Sequence, residues 1–175
     1  ILYCLYLYFL SHIHNNYGIF LYGTSFVHYI RYISTYFDRR QVHYGIFQRD
    51  VLFFKTLSIG QLFLMTLHDS PFINYKGYAC VFIGYTVSIL ATHVLGKDKT
   101  YFGLELGIIE GNNERVSSFP YGYIPHPMIT GQILSLLGFY TFQTISSNYY
   151  LIPIHVILYC IHLFQEIYDI FGYLP

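Results

Sequence analysis

The chain has no tryptophan and little charge: of its 175 residues, 10% are Asp, Glu, Lys or Arg. Soluble globular domains carry about 25%, so this sequence cannot cover a water-facing surface with ionised side chains. Nine basic and nine acidic residues cancel to a formal charge of zero. That removes the basic face which nucleic-acid binding requires, and no nucleic-acid partner is expected. Cysteine is scarce as well. Cys4, Cys80 and Cys160 lie far apart inside apolar runs, without the spacing of a zinc site or the even count of a disulfide framework. His12-x-His14 offers two ligands with no third nearby, and no metal site is expected. Hydrophobic residues fill the chain instead, at 54%, with 21 tyrosines and 16 phenylalanines and a mean hydropathy of +0.42. Lipid is the solvent that such a composition suits.

Apolar stretches long enough for a bilayer, about 20 residues each, fall at residues 17–35, 51–67, 72–95, 128–145 and 149–171. They predict an all-α, polytopic transmembrane helix bundle of four to five spans, folded as one integral-membrane domain over residues 1–175. The first stretch contains His28 and Arg31 and the second is short, so either is compatible with a tilted or interfacial helix. Residues 1–10 are apolar but lack a basic n-region and a small-residue cleavage site, so they read as the tail of a span rather than a signal peptide. Alternating the spans puts eight of the nine basic residues on one face: Arg31, Arg39, Arg40, Arg49, Lys55, Lys97, Lys99 and Arg115. Only Lys76 falls on the other. The positive-inside rule makes the basic face cytosolic or matrix-like.

A loop of residues 96–127 precedes the fourth span on that basic, cytosolic face. Loops this long are functional or disordered, and Tyr101, Phe102, Leu104, Leu106, Ile108, Ile109, Phe119 and Tyr121 argue against disorder. Gly103 and Gly107 are four apart, which on a helix makes a small-residue face for a neighbouring backbone or for a ligand. Pro125 and Pro127 flank His126. A residue before proline is driven out of the α region and proline suits a first helical turn. His126 is therefore expected where an extended segment enters the fourth span, beside a helix N-terminus that attracts anions. On the fifth span, His155, Tyr159, His162 and Glu166 recur at four, three and four, which is one helical face. A polar stripe on an apolar helix turns inward, either to hydrogen-bond neighbouring helices or to wall a cavity.

Two segments carry a resemblance. Thr100-Tyr-Phe-Gly-Leu-Glu-Leu-Gly107 and Ser118-Phe-Pro-Tyr-Gly-Tyr-Ile-Pro-His-Pro-Met-Ile-Thr-Gly131, followed downstream by Leu163-Phe-Gln-Glu166, resemble the eukaryotic phospholipid methyltransferases. These integral-membrane enzymes methylate phosphatidylethanolamine with S-adenosylmethionine and are distantly related to the isoprenylcysteine carboxyl methyltransferases. The resemblance implies a cosubstrate site at Gly103, Gly107, His126, Pro127, Met128 and Gly131, completed by Glu166 and bordered by His162. It implies His126 or Glu166 as the group accepting the amine proton. The lipid amine is expected to enter sideways from the membrane, between the fourth and fifth spans. The implied location is the endoplasmic reticulum or a mitochondrial membrane. The sequence departs from the family pattern in three ways: it has no G-x-G, its terminal acidic pair is Gln165-Glu166, and Ile129 replaces the aromatic after Pro-Met. These departures leave a second expectation open, a catalytically inactive, methyltransferase-like structural subunit with protein partners in a larger membrane complex.

Overall fold

The computed structural model describes residues 2–37, 42–67, 74–103, 106, 108 and 116–170, with side chains of the last helix as far as Gln165. Among the described residues there are helices and turns and no strands. The helices are α1 (Leu2–Ile13), α2 (Tyr17–Ser25), α3 (Val27–Phe37), α4 (Tyr44–Thr66), α5 (Tyr75–Leu95), α6 (Lys97–Thr100), α7 (Pro127–Tyr140), α8 (Gln143–Ser146) and α9 (Leu151–Ile170). The all-α expectation holds. Of the four to five spans expected, one helix among the described residues, α5, is both long and apolar enough to cross a membrane.

The first, second and fourth expected spans differ for local reasons. The first is divided at Phe26 into α2 and α3. Thr24 Oγ1 donates to the Phe20 carbonyl at 2.7 Å and Ser25 Oγ to that of Tyr22 at 2.8 Å. Hydroxyls that bond back onto the preceding turn compete with the backbone ladder and bend helices. The fourth stops at Tyr140, where Thr141 Oγ1 caps the Gly138 carbonyl at 2.7 Å. Its 14 residues rise only about 21 Å, short of a bilayer core. The second is longer than its apolar stretch, because α4 continues back through Asp50, Arg49 and Gln48 to Tyr44. Gly96, at φ +88°, divides α5 from α6 in a conformation that side chains other than glycine avoid.

The closest helix pair is α5 and α7, packed antiparallel through small residues. A Cβ on Gly131 would lie 2.5 Å from the Gly84 carbonyl oxygen, and one on Gly138 would lie 2.8 Å from that of Gly77. Gly77 and Gly84 are seven apart, as are Gly131 and Gly138, so the contact recurs every two turns, as it does in left-handed helix pairs. Ser135 Oγ donates across the seam to the Val81 carbonyl at 3.1 Å. Around the seam, Leu62, Phe139, Ile145, Leu151 and Tyr159 form the main core, and Tyr32, Phe47, Val51, Tyr101 and Phe102 form a second.

The ends of the bundle differ in charge. At one end Asp50 accepts from Arg49 at 2.9 Å and lies 3.8 Å from Arg31. There the Tyr44 hydroxyl also donates to Asp98 at 2.7 Å, beside Lys97 and Lys99. The opposite end is closed by Asn74 Nδ2, which donates to Thr141 Oγ1 at 2.7 Å next to Lys76. Arg31, Arg49, Lys97 and Lys99 thus gather at one end. Arg39, Arg40 and Arg115 lie outside the described residues.

Candidate functional site

Helix α4 packs on α2, α3 and α8, and α5 packs on α6 and α7, while α4 and α5 hardly touch. Between them is a cleft of about 740 Å³, within the range typical of ligand pockets. Its walls are mainly apolar, formed by Leu52 and Ile59 on one side and Tyr85 and Ile89 on the other. Lys55, His93 and Lys97 add polar heads. Inward of it lies a second cavity of about 40 Å³, bordered by His28, Tyr29, Tyr159, His162, Met128 and Lys55. Lys55, Ser88 and Gln132 border both spaces. Gln132 Nε2 donates to Ser88 Oγ at 2.8 Å where the two spaces adjoin. The inner cavity has room for a water molecule or a small polar group.

The residues singled out in the sequence divide around this geometry. Met128 and His162 border the inner cavity. His162 is nearly buried, its ring 4.7 Å from that of Tyr32 and 5.4 Å from that of Phe102, and Met128 Sδ accepts from Thr92 Oγ1 at 3.4 Å. Gly103 is buried in a turn after α6, where its N–H donates to the Asp98 carbonyl at 2.7 Å. A Cβ there would lie 2.5 Å from that same oxygen. Gly131 is held in the α5/α7 seam, and Pro127 is buried at the start of α7. His126 is exposed and stands apart from both cavities. Its backbone is left-handed, φ +45° and ψ +58°, rather than extended. The Ile129 and Thr130 amides both bond to its carbonyl, which holds this sparsely populated conformation. Gly107 and the side chain of Glu166 lie outside the described residues.

The polar stripe of α9 does two things. His155 is fully buried and its ring nitrogens lie 3.2 Å from Tyr29 Oη and 3.2 Å from Ser25 Oγ. That is interhelical hydrogen bonding. One turn on, Tyr159 and His162 border the cavity. The described part of the stripe thus bonds between helices at His155 and borders a cavity at Tyr159 and His162, while the side chain of Glu166 lies outside the described residues.

Sequence reasoning missed Lys55, Ser88, Gln132 and His28 as residues bordering this space. The signal for Lys55 was present: it is the one lysine inside the apolar stretch 51–67. Ser88 and Gln132 gave none, since single polar residues on helices read as packing. The cleft does not lie between the fourth and fifth apolar stretches, where lipid entry was expected. The cleft opens between α4 and α5, while α7 and α9 are packed together.

The residues proposed for S-adenosylmethionine fit only part of it. Gly103 and Gly131 are closed by protein backbone, and the cavity at Met128 and His162 admits a small group but not a nucleoside. Among the described residues, no carboxylate borders the cleft or the cavity.

An apolar cleft on the flank of a helical bundle, leading to a small polar cavity, has the form of a site for an amphipathic ligand. The phospholipid methyltransferase family model matches residues 73–167, more than half of the chain, from the start of α5 into α9. The chain belongs to the phospholipid methyltransferase family. No curated protein and no solved structure matches it significantly.

Proposed function

We propose that this protein methylates the amine of phosphatidylethanolamine, or of its mono- and dimethyl derivatives, at a membrane of the endoplasmic reticulum or mitochondrion. The observation that carries this reading is the polar cavity at Met128 and His162, reached from an apolar cleft, within a chain of this family. Membrane placement is supported by α5 and by large apolar side chains pointing outward, among them Phe82 at 73% exposure and Ile83 at 53%. In water such surface would cost about 25 cal/mol per Å²; in lipid it costs nothing.

S-adenosylmethionine would supply an electrophilic methyl group on its sulfonium. The task of the chain is to place an amine in line with it, exclude water, and remove a proton. An amine is an ammonium at neutral pH and has no lone pair until a proton leaves. His28 and His162 offer imidazoles at the cavity wall, whereas His126 is outside it. Glu166, one residue beyond Gln165 on α9, is assigned to the amino group of the cosubstrate, where a carboxylate makes a charge-assisted bond.

The test is transfer of labelled methyl from S-adenosylmethionine to phosphatidylethanolamine in liposomes, with cosubstrate binding titrated separately. Glu166→Gln removes a contact worth roughly 1.5–3 kcal/mol, so affinity for S-adenosylmethionine should fall about ten- to a hundredfold. Equal binding by wild type and Glu166→Gln overturns the assignment of Glu166. The closed surroundings of Gly103 and Gly131 favour a second reading, the inactive structural subunit. Absence of binding by wild type at millimolar S-adenosylmethionine would establish that reading over the enzyme.

A further inference from the structure

The cleft between α4 and α5 carries charge of one sign. Lys55 projects from α4, and Lys97 stands at the basic end where α6 begins. Eleven residues separate Lys55 from Tyr44, whose bond to Asp98 marks that end, so Lys55 lies about 16 Å along the helix from it. Among the described residues, no hydrogen bond or ion pair engages the Lys55 ammonium, although carboxylates pair with arginines nearby at Asp50. A cation in an apolar cleft, without a counter-charge, is costly in isolation and is suited to an anionic occupant. The walls on either side, Leu52, Ile59 and Ile89, are suited to hydrocarbon. One ligand has both properties.

We infer that this cleft seats a phospholipid with its phosphodiester between Lys55 and Lys97 and an acyl chain along Leu52, Ile59 and Ile89. The inference rests on the reading of the protein as a phospholipid methyltransferase and adds to it the residues that recognise the headgroup and the route of entry. Lys55 borders the inner cavity as well as the cleft. A phosphodiester held at Lys55 therefore leaves its ethanolamine arm beside the Ser88–Gln132 pair, where the cleft adjoins the cavity bordered by Met128 and His162. The lysines are positioning residues: they fix the lipid by its phosphate and do not touch the reacting amine. A free lipid-soluble amine, lacking phosphate, would be held only by the apolar walls.

The experiment uses the full chain in detergent and two probes, dihexanoyl-phosphatidylethanolamine and dihexanoylglycerol, which lacks the phosphate and the amine. Lys55→Gln should weaken binding of the phospholipid about ten- to a hundredfold and leave that of the diacylglycerol unchanged. Lys55→Arg should retain phospholipid binding, and Lys97→Gln, at the helix end, should weaken it less. Monodispersity of each variant on gel filtration guards against loss of fold. Unchanged phospholipid affinity in both glutamine variants, equal losses for both probes, or no binding of phospholipid by wild type overturns the seat. The methyltransferase reading fails separately. A chain that binds phospholipid through Lys55 but transfers no methyl keeps the seat and loses the activity. A chain that transfers methyl with an unaltered KM for lipid in Lys55→Gln keeps the activity and loses the seat.

Discussion

On one side of α5, Gly77, Gly84 and Ser88 lie so close to α7 that an added Cβ at Gly131 would fall 2.5 Å from a backbone oxygen. On the adjoining face, Tyr85 and Ile89 border about 740 Å³ of open cleft, with Ser88 at the boundary between the two. One helix thus serves as a rigid partner and as the wall of a vestibule, and residue size decides which. Small residues in register every seven positions allow two backbones to meet, a strategy suited to lipid, where packing rather than hydrophobicity drives association. Bulky residues on the adjoining face, set against an α4 that is fastened elsewhere, keep the second gap open.

The sharpest way to break this contrast is to enlarge the seam. The atoms facing Gly131 are backbone, Gly84 O and Ser88 N, and cannot move aside as a side chain would. Gly131→Ala should cost about 3 kcal/mol or more, at the upper end of overpacking, and Gly131→Leu should yield no monodisperse protein. Thermal unfolding in detergent measures the first and gel filtration the second. A Gly131→Leu protein that unfolds like wild type would show that the seam is not the rigid part of the bundle.

A second test separates the halves of the α9 stripe. His155→Leu removes the ring that Tyr29 and Ser25 share, although Ser25 keeps its bond to the Tyr22 carbonyl, and should cost about 1–2 kcal/mol with only a small loss of methyl transfer. His162→Ala should do the reverse, lowering methyl transfer with a smaller loss of stability. Unfolding and transfer assays on the same two samples decide it, and a shared phenotype would mean that the stripe acts as one unit.

Gly60 sharpens the comparison from the side of α4. It lies inside that helix, and a Cβ added there would meet nothing within 4 Å, so it serves no close approach. Gly60→Ala should raise stability by about 0.5–1 kcal/mol, the usual gain from replacing glycine within a helix. The same substitution therefore has opposite signs at Gly60 and Gly131, and a loss at Gly60 would place another element against it.

How much of this was legible beforehand depends on what each signal encodes. Hydropathy located α5 and α9 to within a few residues, because these helices are apolar along their length. It missed the start of α4, since a helix that carries Gln48, Arg49 and Asp50 has left the apolar region without ceasing to be helical. The break at Phe26 has no proline to announce it, and Gly23 three residues earlier lies inside α2; Thr24 and Ser25 produce it through bonds that depend on rotamer. Motif spacing led to the family and to Met128 and His162 at the cavity. It could not separate Gly131 as a packing residue from Gly131 as a ligand contact, because close approach by either demands the same missing Cβ. Lys55 was read as part of a charge pattern, and only the distance between α4 and α5 makes it part of a site.

The smallest effect expected lies at the basic end, where the two walls of the cleft are tied. Burial, then the hydrogen bond to Asp98 and the charge of its carboxylate, push the Tyr44 hydroxyl up to about 12. A group whose pKa is higher folded than unfolded contributes stability in full below its unfolded value, near 10, and loses it as pH rises through the folded value. The Tyr44–Asp98 tie should therefore hold α4 to α6 at neutral pH and weaken between pH 10 and 12. Tyr44→Phe should melt slightly below wild type at pH 8, and the difference should shrink as pH rises through that window. Asp98→Asn, which keeps an acceptor but removes the charge, should move the window to lower pH. The readout is the melting temperature of all three proteins in detergent from pH 8 to 12. A difference that stays constant across the range would mean that the ionisation of Tyr44 is not linked to folding.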